Sequence, residues 1–175
     1  RAFGWAKYFK KFGLYPVVIT RFWENNVTDR SSVGTSTQLY VKVEKHVDYE
    51  VHYLPYKATR RDEMLVSNKG GIQLLLRKTM TLIELIGQNF STRFISYRNF
   101  MNYSTDLIKG DLGYKMMLVT ANPFSIFHLA FKIANETKIP WIADYRDDWT
   151  TREVAIPNTM IEKFLWKLEK KSELR

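Results

Sequence analysis

Residues 118–149 read as strand, loop, helix, strand and loop, and that order constrains this chain more than any other feature. The apolar run Tyr114–Ala121 predicts a strand hydrophobic enough to be buried on both faces. Ile126, Phe127, Ala130, Phe131 and Ala134 then recur at helical spacing across 124–136. Lys138-Ile-Pro leads into a second strand, Trp141–Tyr145. Alternation of strand and helix is the signature of an α/β fold with a mostly parallel sheet. In such sheets ligands bind in the crevice outside the carboxyl ends of the strands. Polar residues gather at those ends: Asn122, Pro123 and Ser125 follow one strand, and Asp144, Arg146, Asp147 and Asp148 end or follow the other.

The flanks extend the pattern. Phe3, Trp5, Ala6, Tyr8, Phe9 and Phe12 among Lys7, Lys10 and Lys11 predict an amphipathic helix over 1–12. Gly13 stands where a helix-ending glycine belongs, and Tyr15–Thr20 follows as a buried strand. That is half of a βαβ unit, and the strand expected before the helix is absent. Residues 21–50 form a polar insertion, expected to be a long loop with a short strand pair at Leu39–Val43 and Glu50–Tyr53. Ile72–Ile86 predicts a helix, 103–109 a short helix, and Asn158–Leu174 the last helix, with Met160, Ile161, Phe164, Leu165 and Leu168 on one stripe.

At 175 residues and 45% apolar content, a single domain with a real core is expected over 1–175. The absence of cysteine rules out disulfides and thiolate metal sites. His46, His52 and His128 lack metal-ligand spacing, and no phosphate-binding glycine loop or nucleophile elbow is present. The net charge of +9 suits acidic partners or simple solubility. Charge is the only feature that favours nucleic acid, so no nucleic-acid partner is expected. Arg60, Arg61, Arg77 and Lys78 belong to a basic, leucine-rich middle third that either faces anionic headgroups or is a solvated face. No apolar run approaches the ~20 residues of a membrane span.

The Asn122–Ser125 loop opens a helix whose free N–H groups favour an anionic or hydroxyl-rich ligand. Plain helix capping by Asn122 or Ser125 explains the same residues. In Asp144-Tyr-Arg-Asp-Asp-Trp149, carboxylates can hold hydroxyls, Arg146 can hold phosphate, and Trp149 can stack on a ring face. An Asp–Arg pair that locks the loop is the alternative. Asp144, nearest the strand, is assigned a structural part, and Asp147 is expected to face the cleft.

Two stretches resemble family-4 glycosyltransferases. Arg1–Thr20 is similar to the family's first helix and second strand. Leu118–Trp149 resembles its "PP…IPWIxDxRDxW" segment, with Asn122-Pro123, Ile139-Pro-Trp and Asp144-x-Arg-Asp in matching positions. The resemblance implies a GT-B protein in which this chain is the N-terminal, acceptor-binding domain. That domain is a Rossmann-like, doubly wound, mostly parallel sheet with helices on both faces, here without its first strand and its glycine-rich loop. The piece would belong to a larger two-domain protein whose absent half binds the nucleotide-sugar donor.

Such enzymes transfer a sugar to a glycan or glycolipid acceptor with retention and without a required metal or cofactor. Many carry His where this chain has Arg146, which leaves Arg146 and Asp147 as the matching pair for catalysis. Arg1, Asn122, Pro123, Ser125, Asp148 and Trp149 would line the acceptor cleft. The resemblance places the enzyme in bacterial envelope synthesis, in the cytoplasm or on the inner face of the membrane, with the isolated piece inactive. A non-catalytic membrane-surface or protein-interaction module is the alternative, and another GT-B type such as an epimerase is a third.

Overall fold

Aromatic and lysine residues wind Ala2–Phe9 into a helix, α1, in a computed structural model that describes residues 2–22, 40–56, 64, 71–111, 113–121, 124–145 and 159–173. A 3-10 turn, Lys10–Phe12, continues α1, and Gly13 stops it at φ 73° with its N–H bonded to Lys10 O at 2.9 Å. A side chain there would oppose the left-handed backbone, so glycine is the residue the turn requires. Only part of the expected apolar stripe turns inward: Ala6 is buried, whereas Tyr8 and Phe12 are exposed.

The described residues are mixed α/β and fall into two compact units, Arg1–Gln73 and Leu74–Arg175. In the first, strands β1 (Val17–Arg21), β2 (Lys42–Lys45) and β3 (Glu50–Leu54) form a sheet in the order β1–β3–β2. β1 runs parallel to β3, with Val17 opposite Glu50 and Arg21 opposite Leu54. β2 runs antiparallel to β3, closed by His46 N–H donating to Tyr49 O at 2.9 Å. The central strand supplies the buried Val51 and Leu54, as a strand flanked on both sides should. Lys10 ties the turn to the end of the N-terminal helix through Asp48 at 2.8 Å, and Tyr15 Oη donates to His46 O at 3.1 Å.

The second unit holds α2 (Ile72–Gly87, entered at the boundary), a 3-10 turn at Thr92–Phe94, α3 (Arg98–Gly110), β4 (Met117–Ala121), α4 (Ile126–Thr137), β5 (Trp141–Tyr145) and α5 (Met160–Glu173). Its core is Ile95, Met101, Leu129 and Ile133, with Tyr97, Ile108 and Met117 packed against it. α3 is longer than the expected 103–109 because its inward face mixes Met101 with the buried Ser104 and Thr105. That mixture blurs the apolar period. β4 and β5 pair in parallel, Met117 opposite Trp141 and Ala121 opposite Tyr145. β4 is not buried on both faces as expected: Leu118 is 37% exposed and its partner Ile142 50%.

α5 begins with a capping box. Thr159 Oγ1 accepts from Glu162 N–H at 3.1 Å, and Glu162 Oε2 accepts from Thr159 N–H at 2.9 Å. Replacing Thr159 by Ala should lower stability by about 1 kcal/mol. Urea unfolding of the chain checks this, and an unchanged midpoint would contradict it.

Candidate functional site

Strand pairing sets the geometry of the candidate site. Because β4 and β5 are parallel and end together at Ala121 and Tyr145, the chain leaves both strands at one sheet edge. Side chains alternate along a strand, so Trp141 and Tyr145 share one face of β5 while Ile142 and Asp144 share the other. α4 covers the first face through aromatic contacts. Phe127 lies 4.9 Å from the Tyr145 ring and 6.1 Å from Trp141, and Phe124 lies 6.3 Å from Tyr145. These rings fix the start of α4 against the end of β5. Burial pushes the Tyr145 phenol above its ordinary pKa, and the Glu173 carboxylate adds to the shift. Tyr145 is therefore a neutral hydroxyl at this edge.

Of the residues expected in the cleft, Ser125 is buried beside α4's first turn. Its side chain makes no capping bond, while its carbonyl accepts from His128 N–H at 3.2 Å. Side-chain capping therefore does not explain Ser125. Asp144 lies within β5 opposite Thr120, half-buried, with its Oδ2 closed off from solvent. Arg77 is half-buried on α2 and Lys78 is exposed. Arg1, Arg60, Arg61, Asn122, Pro123, Arg146, Asp147, Asp148 and Trp149 lie outside the described residues. Among the described residues no group of three acidic, His or Cys side chains could hold a metal ion. No helix among them is long and apolar enough to cross a membrane.

Two polar features of the first unit were not singled out from sequence. Arg21 ends β1 at the carboxyl edge of the β1–β3 pair, 8% exposed, its guanidinium 3.9 Å from the centre of the Tyr56 ring. The sequence pattern ends the strand at Thr20, which hid Arg21 as a loop cation. An arginine at a strand's carboxyl end was the available signal. His52 Nε2 sits 2.7 Å from Glu50 Oε1, and Lys45 Nζ 3.8 Å from Glu50 Oε2. Glu50 opens β3, so this trio lies toward the opposite end of the strand from Arg21 and joins β2 to β3.

On α5, burial pushes the Glu169 carboxyl above its ordinary pKa. The folded state then holds the proton more tightly than the unfolded one. The stability this gives is complete below the unfolded pKa and is lost as pH rises through the folded pKa. Glu169→Gln should therefore raise the melting temperature at pH 7 and leave it unchanged at acid pH where the carboxyl is protonated in both states. Melting curves at the two pH values check this; an equal effect at both would contradict it.

Comparison of the chain with protein-family models, with curated proteins and with solved structures found no match.

Proposed function

We propose that this chain is the N-terminal, acceptor-binding domain of a retaining glycosyltransferase of the GT-B type. In this reading β4, α4 and β5 form one crossover of a doubly wound, Rossmann-like sheet. The enzyme moves a sugar from a nucleotide sugar to an envelope polysaccharide or glycolipid at the inner face of the cytoplasmic membrane. The observation that carries the reading is the register of Ala121 opposite Tyr145. It ends the two strands that the family-like segments follow in sequence at a single edge, and the carboxyl ends of parallel strands are where α/β proteins bind ligands.

The chemistry follows from residue types. Asp147 orients the attacking acceptor hydroxyl, and Arg146 meets negative charge as the sugar–phosphate bond breaks. Fixed charges aimed at a developing charge supply much of an enzyme's rate enhancement. The acceptor oxygen bonds to the anomeric carbon, the phosphate leaves with the bonding pair, and the acceptor proton passes to a phosphate oxygen. Closure of a donor domain over the cleft keeps water from competing with the acceptor.

The purified 175-residue chain, incubated with nucleotide sugars and membrane lipid extract, is expected to release no nucleotide, because the donor half is elsewhere. Transfer by the chain alone would refute its assignment as an acceptor domain.

A further inference from the structure

Charge is sorted along α5. At about 100° per residue, Lys163, Lys167, Lys170 and Lys171 fall within one arc, and Glu162, Glu169 and Glu173 fall within another. All four lysines are exposed. The same arc begins with large apolar side chains that face water: Met160 is 85% exposed and Phe164 50%. Met160, Phe164, Lys167 and Lys171 follow one another at steps of four, three and four residues, which is one ridge of the helix. At the far end of this ridge Lys171 shares a cleft of about 180 Å³ with Phe90, itself 74% exposed. Ser172 Oγ donates to Asn89 Oδ1 at 2.9 Å there and holds the two sides together.

An exposed strip that is apolar at both ends and cationic between them narrows the partner. A second copy of the chain would set lysines against lysines on a molecule already at +9. A nucleic-acid duplex would use the lysines and leave Met160, Phe164 and Phe90 in water. A lipid surface uses both: apolar side chains enter the boundary between headgroups and acyl chains, and lysines meet the headgroup phosphates. The geometry points to α5 as a helix that seats the second unit of this protein on an anionic bilayer, with Met160, Phe164 and Phe90 entering the interface. The lysines of this ridge are not among the basic residues of the middle third, and the assignment does not depend on the transferase reading.

Co-sedimentation of the full chain with vesicles tests it, using pure phosphatidylcholine against an equimolar mixture with phosphatidylglycerol and no donor sugar. The chain is expected to bind the mixed vesicles, to bind phosphatidylcholine far less, and to be released by salt. Lys163→Glu combined with Lys167→Glu should weaken binding at least about tenfold. Phe164→Ser should also weaken it, with the helical circular dichroism of the wild type retained. The same charge change placed elsewhere on the unit, Lys115→Glu with Lys132→Glu, should cost less than about threefold. Equal binding to both vesicles, or equal losses for the two lysine pairs, would overturn the assignment. Tighter binding to polyglutamate than to the mixed vesicles would overturn it in favour of an acidic protein partner.

Discussion

Leu129→Ala is expected to destabilise the chain by about 3 kcal/mol, within the usual span for a fully buried leucine cut to alanine. Leu129 is 2% exposed on α4 and packs with Ile95, Met101 and Ile133, so its loss leaves a cavity bordered by α3, α4 and Ile95. Domains of this size are stable by about 5–15 kcal/mol in total, so the change removes a large fraction. Leu75 offers the control: it is 67% exposed on α2, and Leu75→Ala should stay within about 0.5 kcal/mol. Urea unfolding of both variants measures the contrast. The effect should reach beyond stability. α4 carries Phe124's neighbour Phe127 against Tyr145, so a loosened α4 also loosens the edge where β4 and β5 end. A Leu129→Ala variant as stable as the wild type would mean that this cluster is not the core of the second unit.

The strand–helix–strand order of the second unit could be read from sequence because its apolar residues keep period and its turns carry strong signals. Of the expected stripe, Ile126, Phe127 and Ala130 lie on the inner face of α4 whereas Phe131 is 43% exposed, and Pro140 precedes β5. The glycine that ends the N-terminal helix was legible for the same reason, since Gly13 takes the left-handed conformation at that helix's end. Other features were hidden. β2 reads Lys-Val-Glu-Lys, an edge strand whose charged side chains give almost no hydrophobic alternation, so its span was expected too early. The start of α3 was missed because no side chain caps it and because polar Ser104 and Thr105 lie on its buried face. The Thr159–Glu162 capping box was present in the sequence at the spacing such boxes use, and it sets the start of α5 at Met160. Partial exposure of Leu118 and Ile142 could not have been foreseen from apolar content, which reports what a residue prefers and not what covers it.

For the candidate site, the sequence located the two polar segments, and only the strand pairing shows that the strands they follow, β4 and β5, end at one edge. Ser125 illustrates the difference. Its residue type and its place before a helix suggest a cap, yet its backbone is already helical, at φ −55° and ψ −19°, and the side chain makes no capping bond. Arg21 is the reverse case: sequence left it in a loop, whereas its burial and its contact with Tyr56 require the folded sheet. Residue type suggests chemistry, and topology decides which residues can take part in it together.

Under the proposed function, Asp147→Ala is expected to reduce sugar transfer by the full-length protein about 100-fold or more, the scale on which misplacing a reacting group acts. A carboxylate that holds the acceptor hydroxyl orients it for attack, so the fall should appear in kcat while donor binding, which the proposal assigns to another domain, stays intact. Asp147→Asn keeps the size and one hydrogen-bonding oxygen but loses the charge, and it should recover only part of the activity. The most direct test of the central claim is nucleotide release by the full-length protein, wild type and Asp147→Ala, over a panel of nucleotide sugars with membrane lipid extract as acceptor. Release from one donor in the wild type, reduced about 100-fold in the variant, is the predicted result. Donor turnover that Asp147→Ala leaves unchanged, or no turnover of any donor, would contradict it.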